Sequence, residues 1–253
     1  MRALVCAATR AEHDACKRGI LASRGHADAP GPSAYEMLLT GVGPVRAARS
    51  LAQRLARGDL PDLIVSSGFA GALSRELPLS SWVTGARIRE WNGTTSAPLE
   101  VEGVAMVWAA GLVRCDVLSS STVMSSAMTD GAGEPLGSAS AADLAPLVAD
   151  MESAALAREA SRSGVRFAVA RLISDTPAHP LPAFVSPFAA ALAAPSTASR
   201  LVAAGRGLRA AAGDPRAVIR FVEESSAWLR ALEEGWSRLR QGPWVSEGPV
   251  LRT

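Results

Sequence analysis

The sequence predicts an α/β protein: a three-layer α/β/α arrangement with a central twisted, mixed, largely parallel sheet and extra C-terminal helices. Three observations predict this class. Short apolar runs alternate with amphipathic helical patterns over the first two thirds of the chain, as in parallel sheets whose connections are helices. Glycine turns follow two of the apolar runs, and after Pro180 only helical patterns remain.

The first elements follow the chain in order. Residues 2–8 (RALVCAA) form a continuous apolar run typical of a buried strand, and a helix is expected from Arg10 to Arg24. The next strand is predicted from Glu36 to Thr40. The turn Gly41-Val42-Gly43 then leads into a helix that ends near Arg57, with its apolar residues at helical spacing.

A third strand, DLIVSS at residues 62–67, runs into the turn Gly68-Phe69-Ala70-Gly71. Further strands are predicted at Trp82 to Ile88, Val101 to Val107 and Asp116 to Ser120. The Gly/Ser/Ala-rich residues 129–141 predict a loop.

A helix from Met151 to Ser163 and a strand from Arg166 to Ile173 complete the predicted core, with Ser174 and Asp175 directly after the strand. Asp214-Pro215 is a strong helix start, since it places a capping acid before proline at the first helical position. The apolar face expected for that helix comprises Val218, Phe221, Val222, Leu229, Leu232, Trp236 and Leu239. We therefore expect residues 1–180 to form the core and residues 181–253 a helical extension packed on the same domain.

Composition limits the function. The chain has 253 residues with 26 basic and 24 acidic side chains, which leaves no excess for general nucleic-acid binding. The three cysteines are widely spaced, which favours a reducing compartment and argues against disulfides or a zinc site. No apolar stretch reaches the ~18 residues of a membrane helix. We expect a cytoplasmic protein without stable membrane insertion, metal or cofactor.

The two glycine turns differ in what they indicate. Gly41-Val42-Gly43 invites a dinucleotide-binding interpretation, but the third position of that motif holds Arg46, where helix–strand packing requires a small residue. A tight turn at a helix start explains it better. The turn at residues 68–71 would let the backbone approach a ligand at the carboxyl end of a parallel strand.

Three acids stand at strand or helix ends that face one side of the predicted sheet: Glu12, Glu152 and Asp175. Right-handed connections would bring these ends together. Each acid also has an alternative explanation as a first-turn or capping acid favoured by the helix dipole. Position alone does not separate these two interpretations.

Three segments carry a resemblance to a known family: LLTGVGPVRAARSLAQRL with PDLIVSSGFAGAL close behind, then VADMESAALAREA, then RFAVARLISDTP. In order and spacing they resemble the nucleoside phosphorylase and nucleosidase superfamily, most closely its methylthioadenosine/S-adenosylhomocysteine nucleosidase branch. The resemblance covers about residues 1–178. Beyond Pro180 the chain more weakly resembles hopanoid-associated phosphorylase-like proteins.

The resemblance implies roles for individual residues. Asp175, supported by Ser174, would protonate the purine as the glycosidic bond breaks, which requires a raised pKa. Glu152 would accept hydrogen bonds from the ribose hydroxyls, with Met151 packed against the sugar. Glu12 would activate water. Phe69 and Ala70 would line the ligand side, although Phe69 replaces a small polar residue, and Val123 and Met124 stand where an aromatic residue commonly stacks on the base.

The expected function is hydrolysis of a purine nucleoside, an adenosine derivative, with release of adenine by a homodimer. A carboxylate at Glu12 would repel a phosphate dianion at close range, which favours water as the nucleophile. Arg10 and Arg46 keep a phosphate-dependent phosphorylase as an alternative. A nucleoside-binding protein without catalytic activity is the third possibility.

Overall fold

A computed structural model describes residues 1–22, 33–91, 96–98, 105–107, 112–124, 146–240 and 245–247. The strands lie at β1 (Arg2–Ala7), β2 (Ala34–Leu39), β3 (Leu63–Ala72), β4 (Trp82–Trp91), β5 (Ser96–Pro98), β6 (Ala105–Val107), β7 (Leu112–Ser120), β8 (Leu147–Asp150), β9 (Arg166–Asp175) and β10 (Val245–Glu247). The helices lie at α1 (Arg10–Ala22), α2 (Pro44–Leu55), α3 (Ser153–Arg162), α4 (Val185–Ala193), α5 (Thr197–Gly213) and α6 (Pro215–Leu239).

The main sheet is mixed, as predicted. Parallel pairs join β1 to β2 and β3, β3 to β9, and β7 to both β4 and β8, whereas β8 on β3 and β9 on β4 are antiparallel. Strands β3, β9, β4, β7 and β8 therefore close a ring of hydrogen-bonded neighbours. The carboxyl ends of β1, β3 and β9 meet at one edge, because these three strands are parallel.

Side chains on successive positions of the central strands enter two different cores. In β9, Phe167 and Val169 pack with α2 and α3, whereas Ala168 and Ala170 pack with α1 and α6. This alternation follows from the period of two along a strand. Helices therefore cover both faces of the sheet, as the three-layer prediction requires.

Several predicted boundaries were wrong. The segment Gly68 to Gly71 is not a turn after β3 but part of it, and β9 continues through Asp175. The region after Pro180 is not only helical, because Val245–Glu247 pairs antiparallel with Ala105–Val107. The part of the strand predicted at Val101 to Val107 that precedes Ala105, and the loop predicted over 129–141, lie outside the described residues.

Helix α6 begins as predicted, since the Asp214 carboxylate accepts a hydrogen bond from the Ala217 N–H at 3.0 Å and Pro215 follows. Its buried face was only partly predicted. Leu232, Trp236 and Leu239 are buried, but Val222 is exposed. No helix in the described part of the chain is both long and apolar enough to span a bilayer.

Candidate active site

The three predicted acids line one cavity of about 480 Å³ at the edge where β1, β3 and β9 end. The same cavity is lined by Met151, Ser174, Phe69 and Ala70, so every residue predicted for the site lies there. Val123 and Met124 line it as well. Glu12, Glu152 and Asp175 are buried, which the sequence left undecided.

Glu12 lies in the first turn of α1 and uses both carboxylate oxygens. One accepts hydrogen bonds from the Thr9 N–H at 2.9 Å and the Thr9 hydroxyl at 2.7 Å, while the other accepts from the Phe69 N–H at 3.0 Å. The Thr9 contact is a helix-capping interaction. The contact with Phe69 crosses to β3 and holds the carboxylate at the wall of the cavity.

Glu152 occupies the N-cap position of α3 without a capping hydrogen bond from its side chain, and instead accepts a hydrogen bond from the Gly43 N–H at 2.9 Å. Its other oxygen lies 3.4 Å from a guanidinium nitrogen of Arg171. Burial raises the pKa of Glu152, and the nearby positive charge of Arg171 opposes that shift. The turn before α2, which we interpreted as structural, thus holds a predicted sugar-binding carboxylate in place.

Asp175 ends β9 beside Ser174, whose hydroxyl donates a hydrogen bond of 2.7 Å to the Asp175 carboxylate. Burial raises the pKa of Asp175, and the serine hydrogen bond partly offsets the shift. A buried carboxyl group with a raised pKa can remain protonated and donate its proton.

Two glycines of β3 make room for these carboxylates. Gly68 has φ +129°, and a Cβ there would lie 2.3 Å from Glu12 Oε1. A Cβ on Gly71 would lie 2.8 Å from Asp175 Oδ2. No side chain fits at these two positions between the β3 backbone and the two acids. This explains why the GFAG segment has glycine at both of them.

Arg171, in the middle of β9, is the residue that sequence reasoning missed. Its buried guanidinium lies 2.8 Å from Asp150 Oδ2 and donates to the Phe69 carbonyl at 2.9 Å and the Ser66 hydroxyl at 2.8 Å. It also contacts Glu152, as described above. The available signal was a charged residue inside the otherwise apolar strand FAVARLI, since buried charges are rare unless paired.

Asp150, whose role the sequence left open, is the main partner of Arg171. Its carboxylate accepts hydrogen bonds from the hydroxyls of Ser119 and Ser153 and from the Ser153 N–H. The pair is almost completely removed from solvent. Asp150 and Arg171 therefore form a buried ion pair next to Glu152.

The opposite end of the cavity is apolar and comes from the C-terminal helices. Five aromatic rings, Phe69, Trp228, Phe221, Phe184 and Phe188, follow one another in edge-to-face contacts with centroids 5.4 to 6.4 Å apart. The sequence did not predict this contribution, because apolar residues in α4 and α6 do not by themselves reveal which surface they pack on. Arg171 is the only basic residue among the described residues that line the cavity, whereas Arg10 and Arg46 do not line it.

Comparisons with known proteins identify related sequences and related folds. The curated futalosine hydrolase of Streptomyces coelicolor is 36% identical over 93 residues, which span 33% of this chain and 40% of that protein. The match thus covers less than half the length of this relative. This sequence similarity therefore concerns a shared segment of the two chains and not their full lengths.

Solved structures share the fold over nearly the whole chain. A methylthioadenosine/S-adenosylhomocysteine nucleosidase from Colwellia psychrerythraea, in complex with adenine, has a TM-score of 0.50 at 16% identity and covers 98% of both chains. An S-adenosylhomocysteine nucleosidase from Streptococcus pyogenes has the same TM-score at 15% identity, with 93% and 97% covered. At these identities the likeness concerns the fold alone. The family model described as the phosphorylase superfamily matches residues 35–204, and the chain therefore belongs to the phosphorylase superfamily.

Proposed function

We propose that this protein hydrolyses the N-glycosidic bond of a purine nucleoside, an adenosine derivative, and releases adenine. The observation that carries the proposal is the convergence of Glu12, Glu152 and Asp175 on one cavity. An acid with a raised pKa, a sugar-binding carboxylate and a carboxylate for water are the groups that this reaction needs.

The proposed reaction assigns one step to each acid. Asp175 gives its proton to N7 of the purine, so that the bond between the base and C1′ breaks with the electron pair leaving on the base. Glu152 accepts hydrogen bonds from the ribose hydroxyls while positive charge develops on the sugar. Glu12 takes a proton from the water whose oxygen forms the new bond to C1′.

Water is favoured over phosphate as the nucleophile because the acidic residues that line the cavity would repel an anion. Among the described lining residues, the carboxylates of Glu12, Asp150 and Glu152 and the proposed acid Asp175 accompany one guanidinium. That guanidinium, on Arg171, is already bound to Asp150 and Glu152. Arg10 instead lies 3.9 Å from Asp14 with its side chain exposed.

The apolar end of the cavity favours an adenosine derivative whose 5′ substituent is apolar. Methylthioadenosine is one such compound, and adenosylhopane, suggested by the C-terminal resemblance, is a larger one. S-Adenosylhomocysteine tests whether a charged substituent is accepted. The similarity to a futalosine hydrolase adds futalosine as a second candidate substrate of the same reaction class.

The test compares base release with and without phosphate. The proposal expects free adenine and free sugar at full rate in phosphate-free buffer. Glu12→Gln should then reduce turnover by roughly two orders of magnitude or more, with nucleoside affinity largely retained, because the loss falls on activation of water. Glu234→Gln, at an exposed position of α6, is the matched control and should behave as wild type.

The other outcomes identify the alternatives. A sugar 1-phosphate product and a rate that saturates with phosphate would establish a phosphorylase. Tight nucleoside binding without base release under either condition would establish a binding protein.

A further inference from the structure

The outer surface of α5 and of the first turns of α6 is unusually apolar for an exposed surface. Leu201 and Leu208 are 69% and 63% exposed, and Ile219 is 60% exposed. Val202 and Val222 are more than half exposed too. We call these five residues the outer apolar face. Large apolar side chains clustered on a surface commonly mark an interaction site.

Basic residues predominate around this face. From residue 181 to residue 222 the chain carries five basic residues, Arg200, Arg206, Arg209, Arg216 and Arg220, and a single acid, Asp214. All five arginines are exposed, and none forms an ion pair with another described residue. Asp214 is occupied as the cap of α6. Glu223 and Glu224, both exposed, directly follow Val222, so acidic residues lie at the α6 edge of the face.

The geometry of α5 separates its outer side from its packed side. Gly207 is buried, and a Cβ there would lie 3.1 Å from the ring of Phe188 in α4. Leu201 and Leu208, seven residues apart, lie on the other side of the helix. Arg206 and Arg209 line one surface depression together with Leu201 and Val202. Apolar and basic side chains thus share one outward surface, and α5 itself contains no acid.

We propose that this surface docks on an anionic lipid membrane. Amphipathic helices that lie in a bilayer interface insert leucine and valine side chains among the lipids while arginines contact phosphate groups. Guanidinium groups are well suited to that contact, since they bind phosphate through two parallel hydrogen bonds.

Two other occupants fit the charges less well. A second copy of the chain, joined through the same surface by a two-fold axis, would bring two sets of five arginines into one interface. A nucleic acid would use the arginines but leave five large apolar side chains without a partner. An anionic lipid surface satisfies both kinds of side chain.

Helix α5 lies between the docking surface and the apolar end of the cavity. Leu192 near the end of α4 lines the cavity and is also exposed, and α4 packs on α5. Docking would therefore place α5 between the lipid and this end of the cavity. The inference does not depend on the proposed reaction, because its test measures binding and not turnover.

The test is cosedimentation of the full chain with vesicles. We expect binding to vesicles of phosphatidylcholine mixed with phosphatidylglycerol, little binding to phosphatidylcholine alone, and weaker binding as salt is raised. Arg206→Glu/Arg209→Glu should weaken binding about tenfold or more. Leu201→Gln/Leu208→Gln should also weaken it, although the charge is unchanged.

The matched control is Arg49→Glu/Arg57→Glu, which changes the net charge equally at exposed positions in and after α2. It should retain binding, and circular dichroism should show that all variants remain folded. Absence of binding to the anionic vesicles, or an equal loss in the control, would overturn the proposal. So would conversion of a dimer to a monomer by Leu201→Gln/Leu208→Gln, measured by analytical ultracentrifugation, because a second copy would then cover the face.

Discussion

At the scale of single residues, the Asp175 carboxyl group experiences two opposing influences. Burial removes water from its charged form and raises its pKa, whereas the Ser174 hydroxyl stabilises that charged form and lowers it. Burial is the larger effect. The neighbouring serine therefore adjusts the pH range over which the acid stays protonated.

Asp175→Asn should lower the rate of base release by roughly two or more orders of magnitude, because an amide cannot supply the proton. Nucleoside affinity, measured by calorimetry, should change little, since the side chains have nearly the same shape. Full turnover in this variant would remove Asp175 from the mechanism.

Ser174→Ala should extend activity to higher pH. A general acid works in its protonated form, so the rate falls as pH rises through its pKa. Loss of the serine hydrogen bond raises the pKa of Asp175 further, and the alkaline limb of kcat against pH should move upward. Ser225→Ala should leave the limb in place, because Ser225 lines the cavity but its hydroxyl donates to the Val222 carbonyl and not to Asp175. A downward shift in Ser174→Ala would contradict the assignment.

At the scale of elements, α6 lies unusually close to the sheet at Gly235. A Cβ at this position would lie 2.1 Å from the indole ring of Trp82 in β4. The same helix buries Trp236, whose indole N–H donates to the Ser67 hydroxyl of β3 at 2.9 Å. The helix is therefore held against the sheet by contacts along one face of its C-terminal half.

Gly235→Ala should lower the free energy of unfolding by about 1–3 kcal/mol, the usual cost of overpacking a core. Gly205→Ala is the matched control, because nothing lies within 4 Å of that position in α5. It should stabilise the protein by about 0.5–1 kcal/mol through helix propensity. Urea denaturation measures both, and a neutral Gly235→Ala would show that the helix can move away.

The elements also show where sequence patterns reach their limit. The apolar runs predicted the positions of β1, β3 and β9 well, because strands buried on both faces are apolar throughout. The same reasoning placed the end of β3 at Gly68, since glycine usually ends a strand. The strand continues because its glycines make room for Glu12 and Asp175, a reason that lies elsewhere in the chain.

At the scale of the whole molecule, the buried charges form one connected group. Arg171 joins β9 to Asp150 in β8, to Glu152 at the start of α3 and to the backbone of β3. Glu12 reaches the same segment of β3 through the Phe69 N–H. The candidate site thus depends on one guanidinium that balances several carboxylates.

Arg171→Met should lower the free energy of unfolding by about 3–5 kcal/mol, because it leaves buried Asp150 without a counter-charge. Adding Asp150→Asn to this variant should recover part of the loss, since the uncompensated charge is then gone. Urea denaturation measures both steps. A small effect of Arg171→Met alone would mean that the acids balance their charge in another way.

The amino-acid sequence by itself determined the fold class, the order of the main strands and helices, and the three acids at their ends. These features depend on local periodicity and on chain order, which a single sequence displays. The tertiary structure decided that the acids are buried, that Arg171 balances them, and that α4 and α6 form the apolar end of the cavity. Burial and charge pairing depend on which distant segments meet in space, as Arg171 and Asp150 do, and hydrophobic periodicity does not contain that information.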